Sequence, residues 1–244
     1  MSSISTTGSV PTTRAPALSP VSRPGWLERT NLFFQLPLTM RTRVVVVIAA
    51  VLLAVAVLLP LWHMTLYSNQ YTDGLNLYIY THKLVGGAVQ GDRDDLKEIN
   101  TLNHYIGMHP LQSEDFHEFK WMPLALGILV LLALRAVVLG RMSNLVDVTV
   151  AMGWFGMFSL WSFYSKLYAY GHNLDPGAPV KVAPFTPPML GSKQLANFTV
   201  FNYPALGSYL ILFGLLLLLA GIVLTAASGK RKLNKGRAGA ANRM

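Results

Sequence analysis

The segment TLNHYIGMHPL, residues 101–111, places His104, Met108 and His109 within six positions, between Asn103 and Pro110. Imidazole and thioether are the side chains that coordinate copper where thiolates are absent. The chain contains no cysteine, which excludes disulfides, thiolate metal sites and covalent c-type haem attachment. All six histidines (His63, His82, His104, His109, His117 and His172) fall between or at the edges of long apolar runs, together with Met64, Met108, Met122 and Met189. His172 is followed by Asp175 in HNLDP, where a carboxylate is spaced to orient an imidazole as its hydrogen-bond partner. A plainer account stands beside this one. Histidine avoids membrane spans, so histidines collect in the loops without any metal. Met108 then packs in a small core, and Asp before Pro builds a turn.

Which account applies depends on the elements that position these residues. Of the 244 residues 52% are hydrophobic and 13% charged, against about 25% charged in soluble domains. The apolar residues gather in four blocks, 44–62, 122–140, 146–168 and 209–227. Each is close to the roughly 20 residues that cross a bilayer as a helix. The first starts too far into the chain, and runs too long, for a signal-peptide core. The third is more polar, with Asp147, Ser159, Ser162 and Ser165.

Thirteen of the 20 Lys and Arg residues lie in the two tails and at the turn between blocks two and three. Eight of the 11 acids lie in the loop 63–120. The positive-inside rule then places both termini in the cytoplasm and the histidine-bearing loops, 63–120 and 169–208, in the periplasm. Anionic lipid accounts for the basic charge, and a nucleic-acid partner is not expected.

Within the first loop, GLNLYIY alternates apolar and polar residues as a strand does. DDLKEINTLNHYI reads as a helix capped by Asp94 or Asp95 and stopped by Gly107, with Leu96, Ile99, Leu102 and Ile106 on one face and His104 on the other. The second loop, with six prolines, predicts an ordered loop or an edge strand near residues 180–182. Residues 25–36 suggest an interfacial helix after a disordered tail. Pro60 predicts a kink at the outer end of the first span. Gly153 with Gly156, and Gly207 with Gly214 and Gly221, predict close helix contacts. The spans carry no ionisable residue near their middles, which argues against an ion-coupled transporter. Walker, GxSxG and HExxH motifs are absent, as are transmembrane histidines for haem, so an enzyme is not expected.

The expected fold is an all-α membrane protein: a four-span domain over 43–228 with a small periplasmic α/β cap, an N-terminal tail (1–42) and a basic C-terminal tail (229–244). The strings GLNLYIYTHKLVG, DLKEINTLNHYIGMHPL and YGHNLDPGAPVKVAPFTPPMLGSKQLANF, within residues 65–208, resemble a family of bacterial four-span membrane proteins met near genes for nitrous-oxide reductase maturation and copper handling. The resemblance implies an inner-membrane accessory protein that binds copper and delivers it to a periplasmic copper enzyme. It would carry the ligand role onto His104, Met108, His109, His172 and Asp175. The alternative is a non-catalytic structural subunit of a membrane-bound oxidase or monooxygenase, with membrane lipids and complex subunits as its partners.

Overall fold

The computed structural model describes residues 25–87, 94–195 and 198–241. The expected disordered tail, 1–24, and Asp92 and Arg93 of the acidic loop lie outside them. Helix α1 (Trp26–Phe34) has no buried residue and leads to α2 (Met40–Ala56), whose N-cap hydroxyl, Thr39, accepts the Thr42 N–H at 3.3 Å. Strands β1 (Trp62–Ser68), β2 (Tyr71–Ile79) and β3 (Leu84–Gly86) follow, then α3 (Asp95–Tyr105), α4 (Glu118–Leu139), α5 (Met142–His172), β4 (Gly191–Leu195), β5 (Phe198–Pro204) and α6 (Leu206–Ala241).

Helices α2, α4, α5 and α6 form a bundle around Val46, Leu53, Leu126, Leu145, Met152 and Leu218. Its outer faces are equally apolar: Leu131, Val138, Trp154, Trp161, Phe213 and Val223 are all exposed. A bundle that is apolar inside and out has its surface matched to lipid. Among the described residues three helices are long and apolar enough to cross a membrane, namely α4, α5 and the Leu206–Gly229 part of α6. The first apolar block behaves differently. Its helix, α2, has 17 residues, and the block's last residue, Trp62, already belongs to a strand. Pro60 therefore lies past the end of the helix, at the entry to the sheet, and kinks nothing.

Of the α6 glycines with the seven-residue spacing, Gly214 and Gly221 meet α2, while Gly207 lies against Leu59 and Pro60 beyond its end. A Cβ on Gly214 would touch Leu53 at 3.4 Å, and one on Gly221 would touch Thr42 at 3.3 Å. Beside them the buried hydroxyls of Thr42 and Thr225 share a hydrogen bond of 3.0 Å across the two helices. In a double-mutant cycle with Thr42→Val and Thr225→Val, denaturation in detergent should give a coupling of about 0.6 kcal/mol, with ~1.7 kcal/mol as the upper end for such pairs. Gly153 and Gly156 of α5 differ: a Cβ on either meets nothing within 4 Å. The close contact expected there is replaced by open space.

The cap corrects the all-α class. It carries a five-stranded antiparallel sheet in the order β3-β2-β1-β5-β4, so the chain combines a helical bundle with a β-sheet. The alternation in GLNLYIY does form β2, with Leu75 and Leu77 buried. Asp94, not Asp95, caps α3, accepting the Leu96 N–H at 3.1 Å, and Gly107 ends the helix with φ +78°. Residues 180–182 form no strand; in the second loop the strands are β4 and β5. β1 pairs with β2 on one side and with β5 on the other, Trp62 lying opposite both Ile79 and Pro204. The two junctions with the bundle are tied together. Ala205 N–H donates to the Leu61 carbonyl at 2.8 Å, Gly207 N–H to the Pro60 carbonyl at 2.9 Å, and the Ser208 hydroxyl to the Leu61 carbonyl at 2.6 Å.

Candidate functional site

The cap brings the two expected ligand segments side by side. Asp175 N–H donates to the Gly107 carbonyl at 2.8 Å and Val180 N–H to the Tyr105 carbonyl at 3.0 Å. The side chains are less concentrated. His104 and His109 are exposed, while Met108 is turned inward against the cap core. His172 stacks on Tyr168 with ring centroids 3.8 Å apart, and its Nδ1 donates to the Tyr168 carbonyl at 3.0 Å. The Asp175 carboxylate accepts the Gly177 N–H at 2.7 Å, the turn-building role of an aspartate before proline. Among the described residues no three His, Asp or Glu side chains are grouped as a metal site would need.

What the fold does build is a chamber. It lies between the sheet and the cap-side halves of α5 and α6, with a volume of about 640 Å³. Because side chains alternate along a strand, one face of the sheet supplies Met64, Leu66, Leu77, Ile79 and Val200 to its roof. The opposite face carries His63, stacked on Tyr78 at 4.5 Å and hydrogen-bonded to Asn76 at 3.0 Å. Phe116, Phe119 and Met122, around the start of α4, close one side. Gly153 and Gly156 belong to the wall, which explains the open space beside them. The wall also includes Met157 and Leu160 of α5 and Tyr209 and Leu212 of α6, all about half exposed or more. The chamber therefore reaches the exposed apolar surface between these two helices.

A few polar groups interrupt the apolar lining. Ser162 Oγ donates to Glu118 Oε1 at 2.6 Å. Lys166 Nζ lies 3.9 Å from Glu118 Oε2, donates to the Asp115 carbonyl at 3.3 Å and sits 5.5 Å over the Phe116 ring. Trp62 Nε1, Asn103 Nδ2 and Ser159 Oγ are buried, line the chamber and have no hydrogen-bond partner among the described residues. Buried polar atoms are nearly always paired, so three unpaired ones leave hydrogen-bonding capacity on the wall of this cavity.

The sequence held a signal for this site. Ser159, Ser162 and Lys166 stand three and four apart on an apolar helix, the spacing of a single face. Glu118, 41 positions before Ser159, could not be placed against that face without the fold. Compared with protein-family models and with curated proteins, the chain matches none of them.

Proposed function

We propose that this chain is a non-enzymatic inner-membrane protein whose four bundle helices span the bilayer and whose cap holds a hydrocarbon-bearing molecule taken from the membrane. In this arrangement α2, extended by the apolar residues 57–61, is the fourth span, both termini are cytoplasmic and the cap is periplasmic. The charge distribution supports that orientation. The observation that carries the ligand reading is the chamber: an apolar space of about 640 Å³ that meets the lipid-facing surface between α5 and α6. Ligand cavities of this size are mostly apolar with a few placed polar groups.

Filling the chamber tests the reading. Gly156→Leu projects into open space and removes a helix-weakening glycine, worth about 0.5–1 kcal/mol. The variant should melt at or above the wild-type temperature and lose the lipid that organic extraction recovers from the purified wild type. Equal lipid content in both proteins contradicts the proposal.

A second reading, copper handover by an accessory protein at the cap surface, is supported by a separate observation. The segments carrying His104 with His109, and His172 with Asp175, are hydrogen-bonded to each other. In His172 the Nδ1 hydrogen bond to Tyr168 leaves Nε2 as the free ring nitrogen. These imidazoles, with neutral Nε2 or Nδ1 as donors, are the groups that would hold the ion. Competition with a chromophoric copper(I) chelator should show one tightly held equivalent in the wild type, weakened at least tenfold in His104→Ala and His172→Ala. No uptake above that of a histidine-free cap variant removes this reading.

A further inference from the structure

We infer that the chamber selects a neutral single-chain lipid with a hydroxyl-bearing head, held at Glu118, Trp62 and Ser159. This rests on the chamber being a lipid site and adds what chemistry the site accepts.

The first ground is size. At about 30 Å³ per water-sized group, 640 Å³ holds about twenty groups. That suits one hydrocarbon chain and its head inside the chamber; a second chain would have to stay outside, in the opening between α5 and α6.

The second ground is hydrogen-bond capacity. The Trp62 indole offers an N–H and no acceptor. Glu118 Oε2 offers acceptor capacity, since Ser162 occupies only Oε1. Ser159 Oγ can do either. Trp62 packs against Phe163 with ring centroids 5.0 Å apart, and Phe163 is the neighbour of Ser162 and one turn from Ser159. These groups therefore serve one region of the wall. A hydroxyl both donates and accepts, so it satisfies Glu118 and Trp62 together, whereas an ether or a bare ketone satisfies Trp62 alone. On the cap side, Asn103 Nδ2 adds a further donor; its residue is 4% exposed.

The third ground is charge. Among the described residues the lining contains one carboxylate and one ammonium, Glu118 and Lys166, 3.9 Å apart. They offset each other, so a charged head would enter an apolar space without a counter-charge, which is strongly unfavourable.

The experiment uses the full-length protein in detergent micelles and native mass spectrometry. The three probes share one eighteen-carbon chain: mono-olein (neutral, two hydroxyls), oleate (anionic) and oleylamine (cationic). Wild type should retain mono-olein at least tenfold more tightly than either charged probe. Glu118→Gln, which leaves Lys166 unopposed, should shift the preference towards oleate. Lys166→Met, which leaves Glu118 unopposed, should shift it towards oleylamine. These opposite shifts separate head-group recognition from a loss of folding. If all three probes bind equally and Gly156→Leu abolishes all three, the lipid chamber stands and the head-group selectivity is overturned. If Gly156→Leu changes none of them, or none binds, both fall.

Discussion

Gly171→Ala is expected to lower the melting temperature of the detergent-solubilised protein by about 10 °C, the equivalent of about 3 kcal/mol for a chain of this size. Gly171 is buried near the end of α5, where the backbone of the second loop lies directly against it. Phe185 N–H donates to the Gly171 carbonyl at 3.0 Å. A Cβ at this position would overlap the Phe185 carbonyl oxygen, with Pro187 Cδ only 3.2 Å away. Neither obstacle is the free end of a flexible side chain, so relief requires the loop to leave the helix. The overpacking term is about 1–3 kcal/mol, and the strained hydrogen bond adds about 1 kcal/mol. Gly153→Ala is the control, since its Cβ meets no atom within 4 Å and should leave the midpoint unchanged or higher. Equal melting of the two variants would contradict the packing described for Gly171.

Asp95→Ala should be nearly as damaging, at about 3 kcal/mol, while Asp95→Asn loses about half of that. The Asp95 carboxylate is fully buried, and its Oδ2 accepts the Asn76 N–H of β2 at 2.9 Å. Removing it leaves a strand N–H without its acceptor and takes away one tie between α3 and β2, leaving the Tyr71–Glu98 hydrogen bond and the packing of Ile99 to hold them. Asp94 next to it is an exposed cap, so Asp94→Ala should cost only about 1 kcal/mol. Hydrogen exchange at the Asn76 amide is the local check. Protection should collapse in Asp95→Ala and persist in Asp94→Ala; protection retained in both would show that the carboxylate does not hold the strand.

The two aspartates show what was legible in the sequence. An acid pair before an apolar periodicity announces a helix start, and Asp94 does cap α3. Which acid turns inward depends on a strand about 20 positions earlier, a relation that local pattern does not encode. The apolar helices were visible for the same reason that they suit a bilayer: long runs leave no other structure that satisfies their backbone. At Trp62 that argument misleads, because the run of apolar residues continues past the helix end at Ala56, through Pro60, into β1, where period and length no longer agree. β5 was hidden behind a proline-rich loop. Gly153 and Gly156 show the same limit from the other side. Small residues on a helix signal that something must come close or that space must be kept, and only the fold tells which. For the histidines, the sequence showed their shared side of the bundle. The fold adds that His104 and His109 point to the exterior while Met108 faces the core.

The hydrogen bonds joining Pro60 and Leu61 to Ala205, Gly207 and Ser208 have a mechanical result. α2 continues into β1 and β5 into α6, and the two strands are paired along their whole length, Trp62–Ser68 against Phe198–Pro204. Those four elements form one stiff lever from one end of the molecule to the other. Tilting the sheet therefore drags α2 and α6 with it. α5 carries no strand of its own, so this frame does not hold it directly: its ties are the Ser162–Glu118 hydrogen bond to the start of α4 and the second loop at Gly171.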